Sequence, residues 1–205
     1  MSGILQLLMA SGAAAVAQSA IAVASNSSLP YVCAYPWSGS GFGTTFSDPA
    51  TQPISGCFGV AFTDAGDAIA VGSNNTPFVF AYPWSGSGFG TKFSNPATLP
   101  AGDGRGVAFT GSGNAIAVSH ATTPFVSAYP WSGSGFGTKF SNPGTLPAST
   151  GNGVAFTDAG DAIAVAHNST PFVSAYPWSG SGFGTKFSDP ATLPAGNSID
   201  VAFQN

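Results

Sequence analysis

Glutamate is absent from this 205-residue chain, and charge of either sign is scarce. Eight aspartates, three lysines and one arginine make up 6% of the residues, for a net charge of −4. With no basic cluster there is nothing to neutralise a phosphate backbone, so nucleic acid is not an expected partner. Without glutamate, a paired-carboxylate hydrolase would have to draw two aspartates from different repeats. The two cysteines, Cys33 and Cys57, are too few for a disulfide framework and read as free thiols. His120 and His167 have no Cys, Glu or second His within their repeats, so neither a metal site nor acid–base work is expected of them. No stretch offers the roughly 20 strongly apolar residues of a membrane span.

What is present is regular. The segment AYPWSGSGFGT begins at Ala34, Ala81, Ala128 and Ala175, a spacing of 47 residues each time. A fixed period of this size signals an array of one supersecondary unit. The 28 glycines and 16 prolines alone would suit a disordered chain, but 17 Phe, five Tyr and four Trp recur in register and are placed to pack. Within one unit, residues 106–110 form a short β run and residues 111–114 a turn. Residues 115–120 alternate large and small apolar side chains as a strand does, and residues 125–131 make a third strand. Residues 132–137 read as a loop and 138–143 as a short fourth strand ended by Pro143. Four antiparallel strands per repeat, small residues in the first two and aromatics in the last two, predict an all-β fold, a β-propeller of four 47-residue blades.

The chain ends are complementary halves of a blade. Residues 199–203 repeat the first strand, and residues 20–24 match a second. The expected propeller therefore spans residues 20–205, with a composite blade from 20–33 and 196–205 closed by pairing of the N- and C-terminal strands. A four-bladed ring from one chain is the simpler closure; two chains exchanging end strands would close eight blades.

Residues 1–19 stand outside the repeat count and carry no charge. They lack the basic start of a signal peptide. We read them as an apolar anchor in which Ile4, Leu5, Leu7, Leu8 and Met9 grip a partner or another copy of the chain, with a structural cap on the propeller as the blander alternative.

Chemistry-bearing motifs are few. The turns Asp64–x–x–Asp67 and Asp158–x–x–Asp161 fall short of a calcium shell, and the equivalent turn at 111–114 has no carboxylate. The SGSGFG segment does not lead into a helix, as a phosphate loop would. No catalytic, metal or cofactor-binding residue is expected, and the chain reads as a non-enzyme. A multivalent carbohydrate-binding lectin is the alternative: Trp37, Trp84, Trp131 and Trp178, with Phe42, Phe89, Phe136 and Phe183, would be its stacking platforms.

The runs YPWSGSGFGTKF and GVAFTxxGxAIAV resemble propeller-like repeats of structural proteins of tailed bacteriophages, and the start MSGILQLL is similar to short leaders on such virion proteins. The resemblance covers nearly the whole chain. It implies a virion location and a non-enzymatic head decoration, tail appendage or fibre-associated module, partnered by other virion proteins or its own copies. Host surface glycans are a further expected contact.

Overall fold

In the computed structural model, which describes residues 19–204, every regular element is a β-strand. The first blade comprises β1 (Ala20–Ala24), β2 (Val32–Ser38) and β3 (Gly41–Phe42). The second is β4 (Cys57–Phe62), β5 (Ala68–Ser73), β6 (Val79–Ser85) and β7 (Gly88–Phe89). The third is β8 (Gly104–Phe109), β9 (Ala115–His120), β10 (Val126–Ser132) and β11 (Gly135–Phe136). The fourth is β12 (Gly151–Phe156), β13 (Ala162–His167), β14 (Val173–Ser179) and β15 (Gly182–Phe183). Each blade is an antiparallel meander in sequence order. The inner strands β4, β8 and β12 lie side by side along the axis. The chain is an all-β propeller.

One strand assignment needs correction. The fourth strand is the two-residue run Gly135–Phe136, paired to Trp131 and Ser132, and not residues 138–143. The SGSGFG segment is a tight hairpin whose Gly135 has φ 100°, a conformation that only glycine adopts at no steric cost. Residues 138–143 instead return along the third strand, where the Phe140 N–H donates to the Ala128 carbonyl at 2.9 Å. That return is what carries an aromatic ring into the next blade.

The wedge between blades is filled by a repeated aromatic knot. Trp84 meets Phe46, Phe62 and Phe89 edge-on, at 5.1, 5.0 and 5.1 Å between centroids. Trp131 does the same with Phe93, Phe109 and Phe136, and Trp178 with Phe140, Phe156 and Phe183. Such edge-to-face pairs contribute about 0.5–1.5 kcal/mol each beyond the area they bury. One Phe of every knot comes from the preceding repeat. A second inter-repeat tie is the hydroxyl of Tyr82, which donates to the Thr51 carbonyl at 2.8 Å; Tyr129 and Tyr176 repeat it onto Thr98 and Thr145 at 2.9 Å.

The first blade has three strands among the described residues, and residues 199–203 belong to none. The pairing that would close the ring is therefore not present here. The C-terminal segment nevertheless runs beside β12, where a fourth inner strand belongs: Asn152 Nδ2 donates to the Ser198 carbonyl at 2.8 Å, and Asp200 packs on Gly153.

Candidate functional site

Where the inner strands converge, the axis holds a cavity of about 540 Å³. Its wall is built in layers from the repeat. Phe58, Arg105, Asn152 and Ile199 are the same repeat position, each 47 residues from the next, and all line the cavity. The layer below is Val60, Val107, Val154 and Val201. Between the two layers come Gly59, Gly106, Gly153 and Asp200. A Cβ on Gly59 would lie 2.5 Å from the Arg105 carbonyl oxygen, and one on Gly153 would lie 2.3 Å from an Asp200 carboxylate oxygen. Glycine is required there so that neighbouring inner strands can touch.

Arg105 and Asn152 sit at a register shift. Gly104 pairs with His120 and Gly106 with Ser119, leaving Arg105 without a partner across the ladder; Asn152 lies in the same irregularity between Gly151 and Gly153. A β-bulge of this kind re-aims one side chain, here toward the axis. The Arg105 guanidinium lies 5.7 Å from the Phe58 ring centroid and donates to Asn152 Oδ1 at 3.4 Å. Its Nε is buried without a hydrogen-bond partner. The Asn152 amide is oriented by its own donors, which reach Asn168 Oδ1 at 2.6 Å and the Ser198 carbonyl. Sequence reading passed over this site. The signal for it was the one arginine of the chain, placed at a position where four otherwise near-identical repeats all differ.

The other expected residues fall elsewhere. Trp84, Trp131 and Trp178 are the centres of the interblade knots and are 6–8% exposed, so their rings are enclosed by phenylalanines and leave little open surface. What remains open borders clefts beside the hairpin turns, one of which is lined by Thr63, Asp67, Gly111 and Trp131. Trp37 differs: it is 41% exposed, and Phe42 is its ring partner. The five apolar residues of the leader, Ile4, Leu5, Leu7, Leu8 and Met9, lie outside the described residues.

Asp67 accepts a hydrogen bond from the Thr63 hydroxyl at 2.6 Å, while that hydroxyl takes the Asp67 and Ala68 N–H groups. The same turn recurs at Thr110 with Asn114 and at Thr157 with Asp161. These carboxylates close turns. His120 and His167 are fully buried, each with Nε2 3.0 Å from a serine hydroxyl, of Ser127 and Ser174 respectively. Burial pushes the His120 imidazole down to about 4, and burial likewise lowers His167. Both are neutral core groups at pH 7. Lys92 and Lys139 clamp their own loops by donating to Asn95 and Asn142, and Lys186 forms an ion pair with Asp189. Cys33 and Cys57 are free, and burial raises the Cys57 thiol to about 11. Among the described residues no helix is long and apolar enough to cross a membrane.

No protein-family profile and no curated relative matches the chain. Similarity appears among solved structures. One described as the crystal structure of a nidogen/laminin complex is 10% identical with a TM-score of 0.56, covering 82% of this chain and 60% of that one. Two others, the WD40 repeats of RRP9 and U3-55K, are also 10% identical, each with a TM-score of 0.49. This chain spans 38–60% of the length of the chains it resembles. The first of these likenesses supports the propeller fold.

Proposed function

We propose that this protein is a non-enzymatic assembly module, a structural component of a phage particle that attaches through its N-terminal segment. The observation that carries the reading is a pair of unmatched faces. Val23, Trp37 and Phe42 of the first blade are exposed, although their counterparts in the other blades are packed against a neighbour. Phe187 at the far end is exposed too, and it occupies the repeat position of Phe46, Phe93 and Phe140, each of which covers the tryptophan of the following repeat. The two faces are complementary because the repeat makes them so. Joined within one chain they close a ring; joined between chains they form a heterologous contact that builds rings or filaments. A sparsely charged surface suits a protein packed among neighbours.

Burying five large apolar side chains of the leader would contribute roughly 1.5–3 kcal/mol each before ordering costs. Deleting residues 1–18 is expected to leave the propeller folded and to abolish incorporation into particles. Quantitative mass spectrometry of purified particles should find the full chain at a fixed copy number. Its absence from particles, with strong hits on a glycan array, would replace this reading by the lectin. The burial of Trp84, Trp131 and Trp178 favours assembly over sugar stacking.

A further inference from the structure

We propose that the axial cavity is a binding site for a small organic carboxylate with an apolar body, held by Arg105. The argument begins with placement. Three of the four cations are lysines at one repeat position on the loops; the single arginine stands at the axis, in a β-bulge, on the wall of a cavity of about 540 Å³. That volume falls within the range of small-molecule sites.

The guanidinium has donors to spare. It carries five N–H groups. One makes a long bond to Asn152 Oδ1, and the buried Nε–H has no partner. Among the described residues no carboxylate lies within ion-pair distance of it. The Arg105 guanidinium lies over the Phe58 ring, 5.7 Å from its centroid, a contact that is not a hydrogen bond. Asn152, locked by Asn168 and Ser198, turns its oxygen toward Arg105 and holds the planar fork in place. A fork of this kind matches the two oxygens of a carboxylate.

The rest of the wall selects the body of the ligand. Phe58, Ile199 and the ring of Val60, Val107, Val154 and Val201 offer apolar contact. Asp200 lines the same cavity and repels a doubly charged anion such as inorganic phosphate more strongly than a singly charged carboxylate. The cavity therefore favours a monocarboxylate carrying a hydrocarbon or aromatic group.

Because Arg105 is the only arginine, it gives the one arginine Nε–H resonance in a ¹⁵N spectrum of the full chain. Titration with 3-phenylpropionate should move that resonance saturably, with affinity in the micromolar to low-millimolar range. The matched alcohol 3-phenylpropan-1-ol should not move it, and inorganic phosphate should bind at least about tenfold more weakly. By calorimetry, Arg105→Lys should weaken the carboxylate about tenfold and Arg105→Gln should abolish binding. The proposal falls if 3-phenylpropionate leaves the resonance in place up to roughly 10 mM. It falls equally if the alcohol or phosphate binds as tightly as the carboxylate. These ligand comparisons use the unaltered protein, so they decide the matter even where a variant fails to fold. Neither result depends on incorporation into particles.

Discussion

The middle blades and the first blade share almost the same residues yet sit in different surroundings. Trp131 is ringed by Phe93, Phe109 and Phe136 and is 7% exposed; Trp37 has Phe42 for a ring partner and is 41% exposed. The Tyr129 hydroxyl is tied to the previous repeat through Thr98, whereas the Tyr35 hydroxyl accepts a weak bond from the Cys33 thiol at 3.6 Å. The lesson is that a blade here is not an independent unit. Its core is completed by the repeat before it, so the first blade, which has no such neighbour among the described residues, keeps its three strands but lacks that packing.

The largest test of this difference is to truncate the same side chain in both places. Trp131→Ala should cost about 3–5 kcal/mol of unfolding free energy, because a filled knot becomes a void. Trp37→Ala should cost well under half as much if the first blade stands open in solution. Equal costs by denaturant titration would show that the chain ends meet and complete the fourth knot.

Acid should separate the blades next. The third and fourth blades carry buried His120 and His167 where the first and second carry Ser25 and Ser73. The folded state holds the His120 imidazole neutral down to about pH 4, while the unfolded chain takes up a proton near 6.5. The unfolded state therefore binds more protons between those values. Stability is fully present above pH 6.5 and falls as pH drops toward 4, by on the order of 3 kcal/mol for His120. His120→Ser should flatten that part of a stability-versus-pH curve, even at some loss of stability at neutral pH.

Smaller effects sharpen the comparison further. Tyr129→Phe should cost about 1 kcal/mol by removing the bond from a buried hydroxyl to the Thr98 carbonyl, and Tyr35→Phe close to nothing. Smallest of all, Lys186→Ala removes a surface ion pair with Asp189 and should change stability by less than about 1 kcal/mol. A larger change would mean that the fourth blade depends on that loop clamp for docking.

Much of the fold was legible because the repeat states it four times. The 47-residue period, the Val-Ala-Phe inner strands and the Ala-Ile-Ala-Val second strands read directly as a propeller. The fourth strand did not, because a Gly/Ser-rich segment looks like a loop until Gly135 is seen at positive φ, folding Phe136 back onto Trp131. The tryptophans were weighed as ligand platforms since sequence shows an aromatic but not its neighbours. Those neighbours come from two other strands and a preceding repeat. Arg105 was passed over for a different reason. Its meaning lies in the bulge that exposes it to the axis, and the register of a ladder is a property of paired strands rather than of one strand's residues.

The tie from Tyr82 to Thr51 spans 31 positions, and so do those from Tyr129 to Thr98 and from Tyr176 to Thr145. An interface written at constant offset is indifferent to how many times it is used. Gain or loss of one 47-residue unit through unequal recombination would return every latch and every knot intact, with only the curvature of the stack to accommodate. Blade number in this architecture is thus open to inheritance by copying, in whole steps, without the passage through destabilised intermediates that point substitution of a buried core requires.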